Sequence, residues 1–86
     1  MNIAYSNKQR LKAMCTWVNA QEYFWLHEMK AAFSPDGIVS SNTEYLVRIL
    51  LKELVNKQVI LLIKHDKFKH YQRLKQFTFT DLKFSK

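Results

Sequence analysis

Glycine, proline and cysteine each occur once in this 86-residue chain, and each scarcity excludes something. With Gly37 alone, no glycine-rich loop can cradle phosphates, which removes most nucleotide-dependent enzymes. With Cys15 alone, there is neither an internal disulfide nor a thiolate zinc cluster, and a single thiol suits a reducing compartment. Acidic residues are also few, seven against fourteen lysines and arginines, for a net charge of +7. No paired carboxylates stand ready for acid–base work, and the serines, histidines and aspartates have no recognisable nucleophile context. The chain therefore reads as no enzyme, with no cofactor. His27, His65 and His70 with Cys15 follow no common zinc spacing, so no metal is expected. The longest aliphatic run, Val59 to Ile63, is far short of the roughly 20 residues of a spanning helix. The first eight residues lack the apolar stretch of a signal peptide. A soluble, cytoplasmic protein is the expectation.

What is present is apolar bulk and unevenly placed charge. Hydrophobic residues make up 48% of the chain, which argues against disorder, and the length allows one domain over 1–86 with one modest core. From Asn56 onward, eight cations (Lys57, Lys64, Lys67, Lys69, Arg73, Lys75, Lys83 and Lys86) face only Asp66 and Asp81. Six of the seven net charges thus lie in the last third. A cationic segment on an otherwise near-neutral domain points to a polyanionic partner, with DNA the first candidate.

The apolar pattern predicts three helices and then two strands. Leu11, Met14, Cys15 and Val18 recur as one helical face, giving a helix over about 6–18. Phe24, Trp25, Leu26, Met29, Ala32 and Phe33 form a second stripe, giving a helix over about 20–33. Ser34-Pro35-Asp36-Gly37 has the chemistry of a turn. Ser41 with Glu44 three residues on reads as a capping box opening a helix over about 42–57, whose buried stripe is Val47, Leu50, Leu51 and Leu54. The β-branched run from Val59 predicts a strand over about 59–64, with a hairpin tip at His65–Phe68 and a return strand over about 69–79. Leu82 and Phe84 are left to bury on the domain or on a second copy.

The segment Tyr45-Leu46-Val47-Arg48-Ile49-Leu50-Leu51-Lys52-Glu53-Leu54-Val55-Asn56-Lys57-Gln58-Val59-Ile60 resembles the recognition helix and first wing strand of the winged helix-turn-helix family. Asp66 to Leu74 resembles the wing and return strand of its MarR-like and ArsR-like branches. The likeness covers about Lys8 to Phe79. It implies a mainly helical domain with a two-stranded antiparallel wing. Two departures stand out: Gln58 occupies the position where the family usually has glycine, and the segment from Ser34 to Ser40 is longer than the usual turn between the second and third helices.

In such a domain the recognition helix enters the major groove. Arg48 matches a guanine edge and Asn42 an adenine edge. Thr43, Tyr45 and Lys52 suit phosphate contacts. Lys64, Lys67, Lys69, His70 and Arg73 would line the wing. The resulting expectation is a transcriptional regulator of duplex DNA, acting as a homodimer at the nucleoid, since two-fold pairing extends the few base pairs one small domain reads. Two alternatives accompany it. An adaptor module, of the kind carried by phages or mobile elements, would present Leu46, Ile49 and Val55 to a protein. A membrane-surface binder would insert Phe68 between headgroups.

Overall fold

Leu11, Met14, Cys15 and Val18 do lie on one buried face, that of α1 (Tyr5–Asn19). The computed structural model describes residues 5–65 and 67–85. After α1 come β1 (Tyr23–Trp25), α2 (Leu26–Ala32), α3 (Ser41–Asn56), β2 (Ile60–His65) and β3 (Lys69–Arg73), then two single turns of 3₁₀ helix at Phe79–Asp81 and Lys83–Ser85. Asp66, at the expected hairpin tip, lies outside the described residues. The three helices pack against an antiparallel sheet of order β1-β3-β2.

The sheet has three strands where two were expected, because the helix predicted over 20–33 is divided. Residues 23–25 pair with β3, Phe24 opposite Tyr71 and Trp25 opposite His70. Phe24 turns inward and stacks on Tyr71 at 5.4 Å. The Arg73 amide donates to the Glu22 carbonyl at 2.8 Å, extending the ladder. Tertiary pairing therefore overrides a helix-compatible apolar run. The helix resumes at Leu26, where Glu28 accepts a hydrogen bond from the Trp25 amide at 2.8 Å, satisfying a donor at the helix start. Between β2 and β3 the register shifts by one residue, Leu62 facing Tyr71 and Lys64 facing His70, so Ile63 is a bulge.

The core is closed mainly by α3. Val47, Leu50, Leu51 and Leu54 are buried as the periodicity predicts, and Leu46 joins them with no exposed surface. Each such side chain contributes about 2 kcal/mol of burial. The cap of α3 sits one residue earlier than predicted: Ser40 Oγ accepts from the Thr43 amide at 3.0 Å, and Glu44 serves elsewhere. At its other end the Val59 amide bonds to the Leu54 carbonyl and the Gln58 amide to that of Val55. That is a Schellman closure, and Gln58 takes the left-handed conformation it requires, with φ of 59°.

The return strand ends at Arg73, not near 79. Beyond it the Asn19 side chain substitutes for a strand partner. Its amide donates to the Phe77 carbonyl at 2.6 Å and its oxygen accepts from the Phe77 N–H at 3.1 Å. Phe77 is thereby held in the core. Leu82 and Phe84 also bury on the domain itself, and buried Glu53 accepts from the Lys83 amide at 2.9 Å. No described helix is long and apolar enough to cross a membrane.

Candidate nucleic-acid interface

Glu44, Arg48, Lys52 and Val55 follow one another at helical spacing along the exposed edge of α3, beside Val47 and Leu51 at the margin of its buried stripe. Leu26 and Lys30 of α2 and Lys69 and Tyr71 of β3 face this edge across a groove of about 460 Å³. Val47 and Leu51 complete its apolar lining. Burial pushes the Tyr71 hydroxyl above its usual range, so the groove's ionisable charge comes from its lysines, arginine and one glutamate. Four cations (Lys30, Arg48, Lys52 and Lys69) line the groove with that one acid, Glu44. The Glu44 carboxylate lies 3.6 Å from the Lys30 ammonium, a contact of two partly exposed groups.

A second depression of about 260 Å³ adjoins the first, sharing Leu26, Lys30 and Lys69 and adding His27, Lys67 and Phe68. Lys67 sits 5.9 Å from the Phe68 ring. On α3 the Arg48 guanidinium lies 5.8 Å from the Tyr45 ring, a cation–π contact that orients a long side chain at the surface. Arg48, Lys52, Lys67 and Lys69 thus come together with Tyr45 beside them, on elements separated by up to 24 residues of chain.

Four of the five remaining candidates are engaged elsewhere. Asn42 donates from its amide to Asn7 Oδ1 at 3.1 Å, so it ties α3 to α1 instead of reaching an adenine edge. Thr43 is buried, with its hydroxyl 3.0 Å from that of Ser40. It completes the cap and has no phosphate-facing position. Arg73 donates from Nε to the Gln21 carbonyl at 2.8 Å and fastens the chain entering β1. His70 points away from the groove and stacks on Trp25 with centroids 4.1 Å apart. Lys64 sits in β2 opposite His70.

Lys30 was not foreseen, because it interrupts an apolar stripe and only the folding of α2 against α3 brings it to Glu44 and into the groove. The apolar surface proposed for an adaptor is not assembled: Leu46 is wholly buried, Ile49 packs against the core, and only Val55 is open, at 42%. Comparison of the chain with protein-family models, curated proteins and solved structures yields no match.

Proposed function

We propose that this chain is a small winged-helix DNA-binding protein, a transcriptional regulator and not an enzyme, gripping duplex DNA through α3 and the hairpin of β2 and β3. The observation that carries the reading is the convergence of Lys30, Arg48, Lys52 and Lys69 on one groove from three elements. Drawing four cations from three elements to one groove costs electrostatic repulsion that a facing polyanion would relieve. A phosphate ridge is such a polyanion, and each neutralised phosphate releases bound counterions.

In this arrangement the exposed edge of α3 enters the major groove. Arg48 meets a base edge, with guanine its best partner, while Tyr45 and Lys52 hold flanking phosphates. Lys69 and Lys67 on the wing side and Lys30 from α2 take the neighbouring backbone. The winged-helix assignment draws support from the helix order, from α3 passing directly into the hairpin, and from Gln58, whose backbone adopts the conformation glycine favours where the resemblance expects glycine. Two copies bound to a two-fold site at the nucleoid complete the proposal. Leu61 and Ile63 on the edge strand and nearby Leu74 are exposed apolar side chains open to such pairing.

The test is fluorescence anisotropy with a random-sequence duplex. Neutralising about five phosphates gives a salt slope of roughly −4.5, a loss of affinity on the order of 500-fold between about 50 and 200 mM salt. On a selected site, Arg48→Ala should remove about 1–3 kcal/mol of discrimination at one base pair. Absence of binding at the lower salt concentration rejects the proposal.

A further inference from the structure

The groove does not account for the aromatic side chains on the other face of the sheet. Tyr23, His70, Trp25 and His27 form a row: Tyr23 to His70 is 6.0 Å, His70 to Trp25 is 4.1 Å, and Trp25 to His27 is 6.1 Å. The last two contacts are near-parallel stacks, with interplanar angles of 12° and 25°. Phe68 closes the row edge-on against His27 at 5.6 Å. The ends of the row are open to solvent, while Trp25 and His70 at its centre are half-buried. Phe68 is 53% and Tyr23 49% exposed, and His27 is also exposed. The core is complete without them, because Phe24 and Tyr71 fill the inner face of the same strands.

Two features connect the row to a nucleic acid. First, it is continuous with the cationic groove: His27 and Phe68 line the second depression together with Lys30, Lys67 and Lys69, and Lys30 and Lys69 line the groove as well. A strand leaving the groove therefore runs past Lys67 onto the rings without crossing an acidic side chain among those lining the depression. Second, flat rings beside a cationic track are the arrangement that holds single strands, since every base has a face to stack and the cations follow its phosphates. A lipid surface fits less well, because two members of the row are polar histidines and the one exposed phenylalanine, Phe68, offers little apolar area to insert.

We propose that His27, Trp25, His70 and Phe68 form a stacking site for unpaired bases, so that the protein binds a junction where duplex held in the groove continues into single strand. The inference rests on the duplex-binding reading for its orientation and adds the class of DNA preferred. The unpaired bases stack on the row while Lys67 and Lys69 accompany the phosphates between the two sites.

Three probes separate the parts: a blunt duplex, the same duplex with a deoxyadenosine tail of about ten nucleotides, and the same duplex with an abasic tail of equal length. Abasic residues keep the phosphates and remove the stacking faces. The base-bearing tail should tighten binding about tenfold over the abasic tail. In H27A/F68A, whose altered side chains are exposed and outside the core, that gain should vanish while blunt-duplex affinity stays within about twofold. Trp25→Phe, which keeps a ring at the centre of the row, should retain most of the gain. Equal affinity for the two tailed probes overturns the inference, and so does a gain that survives H27A/F68A; in both cases blunt-duplex binding leaves the groove reading standing. Failure of the blunt duplex alone rejects the groove reading, and the inference falls with it if no tailed probe binds. Phe68-dependent binding to anionic vesicles, without a base-dependent gain, overturns the inference in favour of a membrane surface.

Discussion

Replacing Gln58 with glycine should stabilise the protein, although no side-chain contact is added. Gln58 holds φ of 59° because the Schellman closure of α3 needs a left-handed residue there. An L-residue in that conformation costs roughly 1–2 kcal/mol, which glycine does not incur. Glycine in turn gives the unfolded chain more freedom, offsetting about 0.4–1 kcal/mol of the gain. The Gln58 side chain is exposed, so its removal uncovers no core. The net expectation is stabilisation of about 0.5–1 kcal/mol, or roughly 3–6 °C in melting temperature for a domain of this size. Gln58→Val should move the other way by at least about 1 kcal/mol, since a β-branched side chain tolerates this region worst. Thermal denaturation followed by circular dichroism at two protein concentrations measures both, the second concentration revealing any coupling to self-association. A Q58G protein that melts below the parent refutes the argument, because it means the position gains more from its side chain than it loses to its backbone.

Three further outcomes follow from the same structure. Glu44→Gln removes the one acid in the groove, and loss of its partly exposed contact with Lys30 should cost under about 1 kcal/mol of stability. Duplex affinity should rise about threefold to fivefold at low salt, as read by anisotropy. Asn19→Ala breaks both hydrogen bonds to Phe77 and should cost about 2–3 kcal/mol in urea denaturation, by leaving a half-buried N–H and C=O without partners. Cys15 is buried and its thiol is pushed up to about 12, so an aromatic disulfide reagent should react with it only after unfolding. Because the folded value exceeds the ordinary 9.0, the stability it contributes is full below pH 9 and is lost as pH rises toward 12. At one pH unit above the ordinary value the loss is about 1 kcal/mol, and it should be absent in Cys15→Ala. Tyr71 is shifted in the same direction and would steepen the alkaline decline further.

Much of the frame was legible in the residues because it depends on local periodicity. The faces of α1 and α3, the turn at Ser34–Gly37 and the place of the hairpin between its strands all repeat or punctuate at fixed spacing. Strand β1 was hidden for a physical reason. Three aromatic and apolar residues in succession satisfy a helical stripe as well as a strand, and only the stack of Phe24 on Tyr71, 47 residues away, decides between them. Phe77-Thr78-Phe79 misled in the opposite sense: the alternation was real, but an asparagine from α1 took the place of a neighbouring strand. The candidate site divides in the same way. Charge placement pointed to Lys67 and Lys69 and the resemblance to a recognition helix pointed to Arg48 and Lys52, whereas the capping role of Thr43 and the tethers made by Asn42 and Arg73 depend on partners that no spacing rule names. Lys30 and the aromatic row became visible only once α2 and β1 were set against α3 and β3.

The central claim is that the groove cations, acting together, hold the phosphates of DNA. Its most direct test is the dependence of duplex affinity on salt, measured for the parent and for a variant carrying Lys30→Gln, Arg48→Gln, Lys52→Gln and Lys69→Gln, with circular dichroism to show that the fold is retained. Loss of the three phosphate contacts of Lys30, Lys52 and Lys69, together with the base contact of Arg48, should flatten the logarithmic slope by about 2.7 and weaken binding at low salt by several orders of magnitude. A folded variant whose slope and affinity match the parent's would place the DNA contacts elsewhere and contradict the account.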